Sequence, residues 1–125
     1  MEIISKDLKV PVALHVCGDL EEILNPILKF KIDIIDCEFA GSTKNIQVLE
    51  SVGDFKGKKI GFGCIDTKKE VVEKVDDIKN LIKIGRDIIG EENMLIDPDC
   101  GMRMLSRQSA FSKLKNMVEA SKWQK

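Results

Sequence analysis

The chain has 125 residues, 43% of them hydrophobic and 33% charged, and its formal net charge is -1. That composition belongs to a globular chain long enough for one domain around one modest core, and it excludes a disordered polypeptide. The near-zero charge excludes the basic field that would draw nucleic acid or an anionic membrane.

No apolar stretch approaches a bilayer span, and the segment Met1-Glu2-Ile3-Ile4-Ser5-Lys6-Asp7 has neither the charge pattern nor the apolar length of a signal peptide. The expected setting is therefore cytoplasmic and reducing. There the four cysteines, Cys17, Cys37, Cys64 and Cys100, read as thiols or metal ligands rather than disulfides. Aromatic residues make up only 5%, with no Tyr, which argues against base-stacking and sugar-stacking platforms.

In chain order, Val10 to Val16 is an apolar run that reads as a first strand. Asp19 can cap the following helix and Glu22 stands where a capping box needs it; Leu20, Ile23, Leu24, Ile27 and Leu28 mark its apolar face, and Pro26 should kink it. Ile32 to Cys37 is the second strand. A second helix begins near Ser42 or Thr43 and carries Ile46, Leu49 and Val52. Lys59 to Ile65 is the third strand. The third helix opens on a solvated Lys68-Lys69-Glu70, bears the stripe Val71, Val75, Ile78 and Ile82 widened by Val72, Leu81, Gly85 and Ile88, and stops at Gly90. Asn93 to Ile96 is the fourth strand, and a last helix after Ser106 is expected to bury Phe111, Leu114, Met117 and Val118.

Strand alternating with helix, four times over, predicts an α/β fold with a parallel sheet and crossover helices. The strands are almost continuously apolar, as strands covered on both faces are. A (β/α)8 barrel needs eight such units in about 250 residues. This chain holds half of one, as a single partial domain over 1–125, with two open strand edges and an uncovered inner face.

The polar residues of the strands gather at their C-terminal ends, where parallel α/β folds place their chemistry: His15 and Cys17, Asp36 and Glu38, Asp66, Asp97 and Asp99. His15 is the single histidine. It stands two residues from Cys17, so both side chains leave a strand on one face, and a mixed nitrogen–sulfur pair suits Zn²⁺. Cys100, in the turn Asp97-Pro98-Asp99-Cys100-Gly101, is the best third ligand and Glu38 a well-placed fourth. Cys37 faces away from its neighbour Glu38, so one of that pair must be excluded. Cys64 shares a face with Asp66 and stays in reserve. Against these roles, Cys37 and Cys64 read better as small buried hydrophobes, Asp19 as a helix cap, and Asp97 and Asp99 as turn residues bonded to their own backbone. The chain has no G-x-G-x-x-G, no P-loop, and no Ser-His-Asp arrangement.

Four stretches carry a family resemblance: Leu14-His15-Val16-Cys17-Gly18-Asp19, Asp36-Cys37-Glu38-Phe39-Ala40, Gly61-Phe62-Gly63-Cys64-Ile65-Asp66-Thr67 and Asp97-Pro98-Asp99-Cys100-Gly101-Met102-Arg103. With the tail Lys115-Asn116-Met117-Val118-Glu119-Ala120, and in order over nearly the whole chain, they resemble the C-terminal part of the cobalamin-independent methionine synthase family, most of all its short archaeal members. The resemblance implies the second half of a TIM barrel and a Zn²⁺ held by His15, Cys17, Glu38 and Cys100. It implies a zinc-dependent homocysteine S-methyltransferase of methionine synthesis, in which the metal binds the homocysteine sulfur and the thiolate accepts a methyl group.

Lys68 stands where folate-dependent members carry a histidine proton donor, which favours methylcobalamin or a methyl-corrinoid protein over a methyltetrahydrofolate-type donor. The family's first half barrel supplies much of the site for the amino and carboxylate groups of homocysteine. The implied partners are homocysteine, the methyl donor, and either a first-half barrel polypeptide or a second copy of the chain, with no nucleic acid and no membrane. The competing readings are a corrinoid-dependent methyltransferase acting on another thiol such as coenzyme M, and an inactive zinc-binding gene fragment.

Overall fold

The computed structural model describes residues 5–122. The first four residues of the segment read for a signal peptide lie outside them. The elements are β1 (Ala13–Val16), α1 (Leu24–Ile27), β2 (Ile34–Glu38), α2 (Lys44–Val52), β3 (Lys59–Gly63), α3 (Val75–Ile89), a short 3-10 turn (Glu91–Asn93), β4 (Met94–Asp97) and α4 (Arg107–Ser121). The strands form one parallel sheet in the order β1-β2-β3-β4, so each βαβ unit lays its strand beside the last. This is the expected four-unit half barrel, and β1 and β4 are its two edges. No helix among the described residues is long and apolar enough to cross a membrane.

Strand parity divides the sheet into two faces. Ile35, Cys37, Ile60 and Phe62 point to the helix side and are wholly buried, with Leu20, Leu24, Leu49, Ile78 and Ile82 packed over them. Each such aliphatic or aromatic side chain contributes about 1.5–3 kcal/mol by leaving water. Phe39 stacks on Phe62 with ring centroids 4.4 Å apart and planes 11° from parallel. α3 comes close enough to β3 that a Cβ on Gly85 would stand 2.8 Å from the Phe62 ring, so glycine is what lets the helix seat there.

Several elements differ from expectation. α1 is a single turn with no capping box: the Asp19 carboxylate accepts from Glu21 N–H and is held by Lys44 instead, and Ile23 is the N-cap. Pro26 falls in the first turn of α1, where its missing N–H costs nothing. α3 begins at Val75, which leaves Val71 in the preceding loop and 75% exposed. Glu70 is not idle surface, because its carboxylate accepts from the Ser106 N–H and hydroxyl at the start of α4. Gly90 ends α3 as expected, at φ 86°.

α4 turns only part of its expected face inward: Met117 packs against the core. Phe111, Leu114 and Val118 are exposed, and the helix buries Lys113 and Ala120. Lys113 has no exposed side-chain surface; its Nζ donates to the carbonyls of Asp66 and Val71 and to Glu73 Oε2 at 2.8 Å. A lysine so completely bonded outweighs the apolar pattern in choosing which side of α4 turns inward.

Candidate metal centre

β1 carries His15 and ends at Val16, directly before Cys17, and β4 ends at Asp97, in the turn that leads to Cys100. Cys17 and Cys100 are far apart in sequence and follow the two edge strands, yet the parallel order puts both strand ends on one side of the sheet. The ligand atoms of His15, Cys17 and Cys100 all lie within 4.8 Å of one another. Tetrahedral zinc, with bonds of about 2.0–2.3 Å, holds its ligand atoms about 3.3–3.8 Å apart, so a small contraction of this cluster would close around the ion. Two thiols and an imidazole are a donor set that zinc favours over magnesium or calcium.

The imidazole is oriented by a carboxylate. His15 Nδ1 faces Asp36 Oδ2 at 2.6 Å across the β1–β2 pairing, in which the two residues are register partners. A proton on Nδ1 shared with the carboxylate leaves the Nε2 lone pair for a metal. Burial pushes the Cys100 thiol up to about 11, with the nearby Cys17 and Glu38 adding to the effect.

Glu38 ends β2 on the same face as Asp36 and is 2% exposed. Its Oε2 accepts from Cys100 Sγ at 3.8 Å, its Oε1 accepts from the Gly18 N–H at 3.1 Å, and both oxygens accept from Lys68 Nζ. It therefore adjoins the cluster without joining the tight group of three. Cys37 and Cys64 are buried in the core, and burial drives both thiols up to about 12. Cys64 lies just beyond β3, where it lines a cavity of about 280 Å³ with Ala40, Asp66 and Ile78 on the helix side, away from the thiol cluster.

Three residues hold the cluster's frame, of which sequence reasoning passed over Asn45, read Asp99 as a turn residue, and noted Lys68 only as surface and as the counterpart of a relative's histidine. The Asp99 carboxylate crosses from the β4 loop to the β2 loop and accepts from the N–H groups of Phe39, Ala40 and Gly41 at 3.0, 3.1 and 2.6 Å. It is not bonded to its own turn. A Cβ on Gly63 would lie 2.4 Å from Asp99 Oδ1, so that glycine leaves the carboxylate its room. Burial pushes Asp99 up to about 6, although those three N–H groups pull the other way. Asn45, also fully buried, donates to the carbonyls of Gly18 and Glu38 and accepts from Leu20 N–H, which ties the loop after Cys17 to the end of β2. Lys68, expected as solvated surface, reaches Glu38 instead. No local pattern marks these long contacts, which tie Asn45 to Gly18 and Leu20, Lys68 to Glu38 and Asp99 to the β2 loop across 25 or more positions.

A parallel half barrel carrying a thiol–imidazole cluster at the C-terminal ends of its strands defines an α/β domain with a candidate metal site. The family described as "Cobalamin-independent synthase, Catalytic domain" matches residues 2–123, and the chain belongs to that family. It is 55% identical over 119 residues to a methionine synthase of Methanothermobacter thermautotrophicus, covering 94% of this chain and 38% of the relative. It is 47% identical over 131 residues to a methionine synthase of Methanocaldococcus jannaschii, covering 98% of this chain and 41% of the relative. A B12-independent methionine synthase from a Shewanella species, solved in complex with selenomethionine, superposes with a TM-score of 0.83 at 25% identity over 96% of this chain and 40% of its own. The chain thus spans about two-fifths of the length of the relatives it matches.

Proposed function

We propose that this chain is the metal-binding part of a homocysteine S-methyltransferase, with His15, Cys17 and Cys100 as zinc ligands and Glu38 as the fourth, displaceable one. The convergence of two thiols and an imidazole within 4.8 Å, from opposite edges of the sheet, carries the reading. The names of the relatives, all methionine synthases, supply the reaction class.

Zinc, when bound, lowers the pKa of a coordinated thiol so that the thiolate persists at neutral pH. The chain's residues do the rest. Asp36 fixes the His15 ring and its tautomer, and Asp99 holds Cys100 and the β2 loop in one frame. In the transfer itself the homocysteine sulfur has lost its proton. A sulfur lone pair forms the new bond to the methyl carbon, and the electron pair of the methyl–donor bond leaves with the donor.

The expectation of a methyl-corrinoid donor rests on Lys68 and on the resemblance to short archaeal members, and a family described as cobalamin-independent gives it no support. Lys68 is a proton-bearing group at the site rim, so the histidine's absence does not exclude a folate donor. The proposal therefore covers transfer to the homocysteine sulfur. Homocysteine and the methyl donor are its substrates, and a first-half barrel polypeptide or a second copy of the chain is its structural partner.

The test is zinc stoichiometry of the chain, followed by methyl transfer to homocysteine after mixing with the first-half barrel of a relative. Methylcobalamin and methyltetrahydrofolate are supplied in separate arms. One zinc per chain, and methionine formed in one arm of the mixture, is the expected result. A chain that takes up no zinc with or without the first half would overturn it.

A further inference from the structure

Glu38 is a carboxylate with 2% exposure whose partner in the pair, Lys68, is 59% exposed. Lys68 Nζ lies 3.1 Å from Oε1 and 2.9 Å from Oε2, so one ammonium straddles both oxygens that a metal would use. The lysine is fixed at its base as well, since its backbone N–H donates to Asp66 Oδ1 at 2.8 Å in the loop after β3. The same two oxygens also accept from the Gly18 N–H at 3.1 Å and from Cys100 Sγ at 3.8 Å. The carboxylate is thus poised between a surface ammonium and the thiol cluster. Any cation bound by the cluster must compete with Lys68 for it.

We infer that Lys68 is a positioning residue that keeps Glu38 a weak, displaceable ligand and so leaves the fourth position beside His15, Cys17 and Cys100 open to a substrate thiol. The inference rests on the proposed zinc site. A charge-assisted pair at 2.9 Å satisfies most of what a buried carboxylate needs, and two cations on the same oxygens repel each other. Without the lysine, Glu38 would be a buried charge with no neutralising partner, and the cluster's metal would be the cation within reach. Glu38 would then bind the metal firmly and resist exchange. A catalytic zinc differs from a structural one in keeping such an exchangeable position. On this account, a residue that never touches the ion decides which kind of site this is.

The test measures metal and thiol binding in the wild-type chain and in Lys68→Met, Lys68→Arg and the double variant Lys68→Met with Glu38→Gln. Lys68 is a surface side chain, so its replacement leaves the core untouched. Zinc affinity is read by chelator competition. Thiol entry is read from the absorption of the cobalt-loaded chain titrated with mercaptoethanol, a thiol that needs no amino-acid pocket. Lys68→Met is expected to bind zinc about tenfold more tightly and to need about tenfold more mercaptoethanol, the low end of what outer partners of metal ligands achieve. Lys68→Arg should stay near wild type, and the double variant should lose the gain in zinc affinity. Zinc affinity unchanged or weakened in Lys68→Met would overturn the inference while the zinc site stands. A wild-type chain that binds neither zinc nor cobalt would overturn the site and the inference together.

Discussion

Two pairs of cysteines occupy this small chain in opposite circumstances. Cys17 and Cys100 sit at the strand ends beside His15, one exposed and the other partly so, whereas Cys37 and Cys64 are sealed in the core under α3 and its neighbours. Strand parity makes much of the difference. Cys37 lies between Asp36 and Glu38, so it faces the helices while both carboxylates face the chemistry. One step along a strand separates a side chain that adjoins the thiol cluster from packing material.

The comparison breaks most sharply under substitution of a ligand. Cys100→Ser should weaken zinc binding by more than about 100-fold, beyond the range for outer partners of a metal site. Cys37→Ser should leave zinc affinity near wild type and act on stability instead, lowering it by about 1–3 kcal/mol because a hydroxyl is buried without a partner. Equal zinc loss in the two variants would erase the distinction.

Outer partners come next. Asp36→Asn should weaken zinc about 10- to 100-fold by loosening the His15 ring, measured by chelator competition. Asp99→Ala should cost about 1–3 kcal/mol in denaturant unfolding for the buried Phe39 N–H alone, and it should also lower zinc affinity by freeing the Cys100 loop.

The smallest effect is on reactivity. In the metal-free native chain at pH 8, alkylation should mark Cys17 first and Cys100 more slowly, because the latter's thiol is raised to about 11 and little of it is thiolate. Cys37 and Cys64, raised to about 12 and shielded, should react only on unfolding. Raising the pH toward 10 should speed Cys100 labelling steeply, since its thiolate fraction grows about tenfold per unit below its pKa. Peptide mass mapping of partially labelled protein would show the order.

Much of this was legible in the sequence. The four apolar runs are the four strands, with bounds that shift by three residues or fewer, and of the polar residues at their C-terminal ends His15 and Cys17 meet Cys100 in space, whereas Asp66 lines the helix-side cavity. Local patterns record strand parity, and His15 and Cys17 two residues apart are such a pattern. What escaped depends on distance along the chain. Asp99 bonds the β2 loop from about 60 positions away, and Lys68 reaches back 30 residues to Glu38; no spacing rule encodes either contact. The α4 face escaped for another reason. Phe111, Leu114 and Val118 recur at helical spacing, yet the buried Lys113 ammonium bonds the carbonyls of Asp66 and Val71 and the Glu73 carboxylate, and that polar demand sets the helix's rotation.

The central claim is the metal's ligand set, and X-ray absorption at the zinc edge of the loaded chain reads it most directly. The account predicts a first shell with two sulfurs at about 2.3 Å and one imidazole nitrogen at about 2.0 Å, completed by light atoms. A shell with no sulfur, or one that keeps both sulfurs when Cys100 is replaced by serine, would contradict it.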